Sequence, residues 1–146
     1  MKIAVGSDEQ NHLTDFVLKE LKKRGHKTIL CGALRKSGID WVGAAKEVAE
    51  KVTKKEVDEG ILFCWTGTGV SIVANKIPGI RAALCADAKT AEGARTWNHA
   101  NILALSYRLT SEEVAQEILD AWFSTPPDPK EAKTTRKVEK IEKPNL

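Results

Sequence analysis

The sequence predicts an α/β fold of three layers, a doubly wound (Rossmann-like) arrangement around a five-stranded parallel sheet. Three observations support this prediction: five short apolar runs recur along the chain, stretches with helical spacing separate them, and a glycine-rich turn follows the third run. Strands that are apolar throughout are typical of a parallel sheet covered on both faces. Right-handed crossovers between such strands place the helices in two outer layers.

The apolar, β-rich runs predict strands over Lys2–Gly6, Lys27–Cys31, Gly60–Cys64, Arg81–Cys85 and Asn101–Leu105. Helical spacing predicts helices over Leu13–Arg24, Trp41–Val52, Val70–Lys76, Ala88–Thr96 and Ser111–Trp122. Gly25 marks the end of the first helix, and Ser111 offers an N-cap to the fifth. Ligands of such folds bind at the carboxyl ends of the strands, which here carry Ser7 and Asp8, Cys31, Cys64 to Thr68, Cys85 to Asp87, and Ser106 to Arg108.

The chain of 146 residues fits a single domain, and we expect residues 1–123 to form it. From Ser124 the composition changes to a proline-rich stretch, STPPDP, and then to a Lys-rich segment with few apolar residues. We expect residues 124–146 to be a basic C-terminal extension without a core of its own. It is either frayed or packs on a partner subunit through Val138 and Ile141.

Charge and cysteine usage exclude several classes of function. The 23 basic and 20 acidic residues are interspersed and give a net charge of +3, which argues against bulk nucleic-acid binding. Neither a signal pattern nor an apolar run of about 18 residues is present, so we expect no membrane partner and a cytoplasmic location. The three cysteines are widely spaced, which favours free thiols over a disulfide framework or a metal site.

The segment GILFCWTGTGVSIVANK, from Gly60 to Lys76, carries the strongest functional signal. It predicts a strand, a glycine-rich turn and the start of a helix, where backbone N–H groups and the helix dipole favour an anion. Cys64 stands beside this turn, so the segment indicates either a bound phosphate or an enzyme that forms an oxyanion next to a base or nucleophile. Gly67 and Gly69 do not complete a dinucleotide or P-loop motif, so no NAD or ATP cofactor is indicated.

Three segments, taken together in order and spacing, resemble a known family: GSD at Gly6–Asp8, GILFCWTGTGVSIVANKIPGIRAALC at Gly60–Cys85, and NHANILAL at Asn98–Leu105. From Met1 to about Phe123 the chain resembles the family of ribose-5-phosphate isomerase B and the galactose-6-phosphate isomerase subunits. The resemblance implies a homodimer, or a tetramer, with active sites at the subunit interface. It also implies reversible aldose–ketose isomerisation of a phosphorylated sugar without metal or cofactor.

The resemblance also implies roles for individual residues. Cys64 matches the catalytic base that moves a proton between C1 and C2 through an enediolate, and Thr66 matches the hydroxyl that assists transfer between O1 and O2. A thiol beside a helix N-terminus is deprotonated more readily than a free one, which suits a base. The remaining matched positions bind the substrate: the amides of Gly67, Gly69, Val70 and Ser71 cradle the oxyanion, Asp8 and Asn98 hold sugar hydroxyls, and Arg108, Lys133 and Lys137 bind phosphate.

The chain departs from the family at positions that recognise or open the sugar ring. Trp97 stands where the family usually has a ring-opening histidine, and His99, two residues later, either takes over ring opening or faces solvent. Glu9 replaces a histidine that often touches phosphate. Trp65 replaces a glycine and Trp41 a tyrosine. We expect Trp97, like Trp65, either to line the pocket or to fill the core or an interface.

We therefore predict a sugar-phosphate aldose–ketose isomerase, with ribose 5-phosphate and ribulose 5-phosphate as the first candidates for substrate and product. Three alternatives stay open: an isomerase of a different tetrose, pentose or hexose phosphate, an isomerase of an unphosphorylated sugar, and a non-catalytic phosphosugar-binding module. Cys64 and Thr66 favour the enzyme, since a binding module needs no base. Asp8 has an alternative role as the N-cap of the first helix.

Overall fold

The protein is built on a five-stranded sheet that is parallel throughout, with the strand order β2-β1-β3-β5-β4. The structure, a computed structural model, describes residues 1–142. The strands are β1 (Lys2–Ser7), β2 (Lys27–Gly32), β3 (Glu59–Cys64), β4 (Ala82–Leu84) and β5 (Ile102–Ser106). All six residues of the central strand β3 are buried. The predicted α/β fold is confirmed.

Five helices cover the two faces of the sheet: α1 (His12–Lys23), α2 (Trp41–Thr53), α3 (Thr68–Ala74), α4 (Ala88–Asn98) and α5 (Glu112–Ser124). Apolar residues of α1, α4 and α5 form one core with Ile61 and Phe63 of β3. Apolar residues of α2 and α3 form the other core with Leu62 and Cys64. Because successive side chains of a strand point to opposite faces, β3 contributes to both cores, and three layers result. No helix within residues 1–142 is long and apolar enough to cross a membrane.

Polar caps set the beginning of most helices. The side chain of Asn11 accepts from the N–H groups of Leu13 and Thr14, and Thr14 bonds back to the N–H of Asn11, which completes a capping box for α1. The alternative that Asp8 caps this helix is therefore wrong. Ser111 caps α5 as predicted, by accepting from the N–H of Val114.

All predicted elements begin and end within two residues of their predicted bounds, and two of the differences have a clear cause. α3 begins at Thr68 rather than at Val70, because Gly67 adopts the left-handed conformation that starts the helix. β4 is limited to three residues, whereas the apolar run predicts a strand over Arg81–Cys85. Arg81 lies outside the strand because its N–H donates to the side chain of Asn101 rather than to a neighbouring strand (2.8 Å).

The described part of the C-terminal extension, residues 124–142, forms helical structure and contacts the rest of its own chain. A short 3-10 turn (Pro129–Glu131) leads into helix α6 (Ala132–Ile141). The N–H of Asp128 donates to the carbonyl oxygen of Thr96 (3.2 Å), and Glu142 accepts from the N–H of Gly79 (2.9 Å). The alternative of a frayed extension is therefore wrong for residues 124–142. Packing on a partner subunit stays a prediction, and residues 143–146 of the predicted extension lie outside the described residues.

Candidate active site

Cys64 is the last residue of the central strand and lies at the carboxyl end of the sheet. Its side chain is buried, with 5% of its surface exposed. The carbonyl oxygens of Cys64 and Trp65 accept the N–H groups of Tyr107 and Arg108, each at 3.1 Å. The hydroxyl of Ser106 donates to the Trp65 carbonyl oxygen as well (2.8 Å). The loop after β5 therefore fixes the path of the chain on either side of the thiol.

Gly67 makes the turn from β3 into α3 possible. Its φ of 75° lies in the left-handed region that favours glycine. A Cβ at this position would lie 2.5 Å from the side chain of Leu84 and 3.1 Å from the carbonyl carbon of Leu105. No side chain caps α3. Of the predicted oxyanion-cradle amides, that of Ser71 bonds to the carbonyl oxygen of Gly67 within the helix (3.4 Å).

A cleft of about 230 Å³ opens beside Cys64. Its lining combines reactive, polar and aromatic groups: Asp8, Trp41, Cys64, Trp65, Thr66, Thr68 and Gly69. The hydroxyls of Thr66 and Thr68 are hydrogen-bonded to each other at 2.6 Å. The ring of Trp41 packs on Gly69, where a Cβ would approach it to 2.9 Å. The structure thus brings the predicted residues Asp8, Cys64, Thr66 and Gly69 together in one cleft.

Tyr107 is the residue of this region to which the sequence assigns no role. Its hydroxyl donates to Oδ1 of Asp8 (3.0 Å) and also contacts Oγ of Ser7 and the carbonyl oxygen of Glu9 (3.3 Å). Burial, followed by the charge of Asp8, raises the pKa of Tyr107 above its ordinary value. Its place directly after β5, at the ligand-binding end of the sheet, is the sequence signal that points to it.

The other two cysteines, Cys31 and Cys85, are buried and do not line the cleft. Burial raises the pKa of Cys31 to about 11, with the charge of Glu47 as the next cause. Burial likewise raises the pKa of Cys85 to about 12, with Asp87 adding to the effect. Both thiols therefore stay protonated near neutral pH, as structural residues do. All three cysteines are free.

Trp97, Asn98 and His99 lie at the amino end of the sheet, opposite Cys64. They form the end of α4 and the turn before β5. This turn contacts the start of β3, where the N–H of Gly60 donates to the carbonyl oxygen of Asn101 (3.0 Å). Gly60 and Cys64 are separated by about 13 Å of extended strand. Within one chain, His99 therefore does not reach the thiol, and its predicted role in ring opening stays a prediction that needs a second copy of the chain.

Hydrogen bonds fix this turn from several sides. His99 has a left-handed backbone (φ 51°), its Nε2 lies 2.8 Å from the carbonyl oxygen of Asp128, and its own carbonyl oxygen accepts from Arg81 (2.9 Å). Arg95 donates to the carbonyl oxygen of Ala100 (2.6 Å) and pairs with the buried carboxylate of Glu59 (2.8 Å). Trp97 and Asn98, at the end of α4 beside this turn, are exposed to solvent.

The cationic residues predicted to bind phosphate divide between the two ends. Arg108 is exposed at the Cys64 end. Lys133 and Lys137 are exposed on α6, which faces Trp97 and Asn98 across a cavity of about 480 Å³.

The acidic residues of the Cys64 end are placed as follows. The carboxylate of Glu9 accepts from the side chain of Asn11 (3.0 Å). Residues 1–142 contain no group of three or more His, Cys, Asp or Glu side chains that could hold a metal ion.

Comparison with known proteins identifies relatives along almost the whole chain. A family model described as Ribose/Galactose Isomerase matches residues 3–141. Ribose-5-phosphate isomerase B of Escherichia coli (strain K12) is 39% identical over 123 residues, 84% of this chain and 83% of that protein. D-erythrulose-4-phosphate isomerase of Pectobacterium atrosepticum is 35% identical over 130 residues, 84% of this chain and 82% of that protein. The structure of Clostridium thermocellum ribose-5-phosphate isomerase B matches with a TM-score of 0.90 and 39% identity, covering 97% of each chain.

The protein is a member of the class of sugar-phosphate isomerases. This follows from the relatives named above and agrees with its parallel α/β fold and the cleft beside Cys64. The chain belongs to the ribose/galactose isomerase family. The predicted enzyme class, an aldose–ketose isomerase of sugar phosphates, is confirmed.

Proposed function

We propose that the protein interconverts D-ribose 5-phosphate and D-ribulose 5-phosphate. The observation that carries this proposal is the cleft that Cys64, Asp8 and Thr66 line together. The identity of 39% to ribose-5-phosphate isomerase B of E. coli supports the choice of the pentose. Three free cysteines support a reducing, cytoplasmic location.

In the proposed reaction the Cys64 thiolate takes the proton from C2 of the open-chain aldose, and the carbonyl oxygen O1 becomes a hydroxyl as the enediol forms. The proton then returns to C1 while O2 becomes the carbonyl oxygen of the ketose. Thr66 carries the proton between O2 and O1. The amides of Gly67, Gly69 and Val70 stabilise the negative oxygen of the enediolate, and each well-placed donor of this kind contributes about 3 kcal/mol to transition-state stabilisation.

We further propose that two copies of the chain complete each active site. The Cys64 end supplies the thiol, the carboxylate and Arg108, whereas Asn98, His99, Lys133 and Lys137 lie at the other end of the same chain. A second copy that places its Asn98 turn over the Cys64 cleft would add an amide for sugar hydroxyls and two cations for phosphate. Exposed apolar side chains at both ends, among them Trp65 (63%), Trp97 (61%) and Ile141 (82%), are suited to such a contact.

A tetrose phosphate is the second candidate substrate. Opening a furanose ring needs an acid and a base at the ring oxygen and the anomeric hydroxyl. The Cys64 cleft has no imidazole in its lining, and Nε2 of His99 already contacts the carbonyl oxygen of Asp128. A four-carbon sugar with its phosphate at O4 has no furanose to open. The Pectobacterium relative named D-erythrulose-4-phosphate isomerase supports this alternative.

The experiment is proton exchange in D₂O, followed by proton NMR, with the phosphates of ribose, ribulose, erythrose, allose and galactose. We expect loss of the C2 proton signal of ribose 5-phosphate and no exchange with Cys64→Ala. Cys31→Ala is the matched control, because Cys31 is also free and buried but lies outside the cleft. Exchange of erythrose 4-phosphate with slow turnover of ribose 5-phosphate selects the tetrose instead. Binding of a phosphosugar without any exchange would leave a non-catalytic binding module.

A further inference from the structure

Tyr107 makes two contacts that join the functional residues of the Cys64 end. Its backbone N–H donates to the carbonyl oxygen of Cys64 (3.1 Å), and its hydroxyl donates to Oδ1 of Asp8 (3.0 Å). β1 and β5 flank β3 in the sheet. Tyr107 follows β5 and Asp8 follows β1, so this one side chain spans the end of the strand that carries the thiol.

The ring and the carboxylate are both placed for this role. The ring of Tyr107 stacks on Phe63, with centroids 6.1 Å apart and an angle of 8° between the planes. Asp8 lines the Cys64 cleft and does not cap α1, since Asn11 does so. Within residues 1–142, only Oδ1 of Asp8 is hydrogen-bonded. The second oxygen is therefore free for a ligand in the cleft.

We propose that Tyr107 is a positioning residue, whose hydroxyl holds the Asp8 carboxylate in the orientation that accepts a substrate hydroxyl beside Cys64. This inference rests on the proposed function, in which Asp8 binds the sugar. A group that is fixed before binding loses less rotational freedom when the ligand arrives. Burial and the nearby charges of Asp8 and Glu9 raise the pKa of Tyr107, so that the hydroxyl remains a donor throughout the neutral range.

The kinetic test is Tyr107→Phe, which keeps the ring on Phe63 and removes the hydroxyl. We expect kcat/KM to fall about tenfold or more, the usual effect of losing a hydrogen bond to a charged group. KM should change more than kcat, because Asp8 holds the bound substrate as well as the transition state. Thr110→Val is the matched control, because Thr110 lies in the same loop and its buried hydroxyl has no hydrogen-bond partner within residues 1–142. Its kcat/KM should equal that of the wild type.

A positioning role predicts a specific result when Asp8 is absent. In an Asp8→Ala background, Tyr107→Phe should cause no further loss of kcat/KM, because the group it orients is gone. A merely structural role would instead lower the melting temperature and reduce activity in both backgrounds. Equal losses in the two backgrounds, or an unchanged kcat/KM in the single variant, would overturn the proposal.

The contact itself is tested without activity, because Tyr107 is the single tyrosine of the chain. Near-ultraviolet absorbance of tyrosinate during an alkaline titration therefore reports on this residue alone. We expect Asp8→Asn to lower the pKa of Tyr107, since the Asp8 charge contributes to raising it; an unchanged titration would overturn the contact. Failure of the proposed function is distinguishable: the wild type would then exchange no sugar phosphate, whatever the titration gives. Failure of the present inference alone requires an active wild type with Tyr107→Phe equally active.

Discussion

The two ends of the sheet carry different functional groups. At the Cys64 end, the hydroxyls of Thr66 and Thr68 bond only to each other within residues 1–142, and Trp65 is largely exposed. At the Asn98 end, the turn is held by Arg81, Arg95 and Asp128. The first end offers a thiol, a carboxylate and the exposed Arg108, and the second offers the amide of Asn98 and the lysines of α6. The residues that the resemblance assigns to one site divide between the two ends of a chain, in line with the proposal that two copies complete each site.

Mixing two inactive variants tests this division most severely. Cys64→Ala and Asn98→Ala change opposite ends, so a mixed dimer contains one site with both residues intact. Random pairing should restore about one quarter of wild-type activity, because half of the dimers are mixed and each has one intact site. The measurement is isomerase activity after co-expression of the two variants.

Two variants altered at the same end provide the control for this experiment. Cys64→Ala with Asp8→Ala should remain inactive when co-expressed, because every site then lacks one of the two residues. No recovery in the first mixture would show that Cys64 and Asn98 do not combine across two chains. Recovery in the control would show that Cys64 and Asp8 of different chains form one site, contrary to the cleft that both line in one chain.

The stability of the Asn98 end is expected to depend on a buried ion pair. Arg95 pairs with Glu59 at 2.8 Å, both side chains are almost buried, and Glu59 also accepts from Nε1 of Trp122 (2.7 Å). Arg95→Met leaves the Glu59 charge without its partner and should lower the free energy of unfolding by about 3 kcal/mol. The more exposed pair of Arg35 and Glu47 is the control, since Arg35→Met should cost at most about 1 kcal/mol. Equal losses in urea denaturation would contradict this account of the Asn98 end.

The sequence predicted the strands well and the placement of distant side chains poorly. Strands are recognisable because continuous apolar runs reflect burial on two faces. The helical spacing predicts the start of α3 two residues late, because the left-handed turn at Gly67 is packed against Leu84 and Leu105 from other strands. The contact between Tyr107 and Asp8 joins residues 99 positions apart, and no local pattern indicates it.

The position of His99, in contrast, could have been derived from the predicted elements alone. A helix between two parallel strands runs antiparallel to them, so its last residues lie at the amino end of the sheet. Trp97, Asn98 and His99 directly follow such a helix, whereas Cys64 ends a strand. The resemblance assigned these residues to one site, and the topology assigns them to opposite ends of one chain.

A comparison of Gly67 with Gly25 distinguishes the energetic cost of backbone strain from the cost of steric overlap at the Cys64 end. Gly67 and Gly25 both have positive φ, 75° and 81°, but a Cβ at Gly25 would have no neighbour within 4 Å. Gly25→Ala should therefore cost about 1 kcal/mol, the strain alone. Gly67→Ala should cost about 2 kcal/mol or more, because its Cβ also meets Leu84 and the backbone of Leu105. Equal changes in the free energy of unfolding would show that the neighbours of Gly67 move to accommodate the added methyl group at little cost.

The smallest expected effect concerns His26, which precedes β2 at the same end of the sheet as Asn98. Its ring stacks on Phe123 and its Nδ1 lies 3.1 Å from the α-amino group of Met1. Burial, then the charges of that amino group and Arg24, lowers the pKa of His26 below 6.5. The unfolded chain therefore binds the proton more readily, so the stabilisation is present above about pH 6.5 and is lost as the pH falls through the folded pKa. Urea denaturation of the wild type between about pH 7 and 5 should show this decline, and His26→Gln should show a shallower one. An equal decline in the variant would show that other groups cause the pH dependence. The stability of the Asn98 end would then depend on packing and on the ion pair of Arg95 and Glu59.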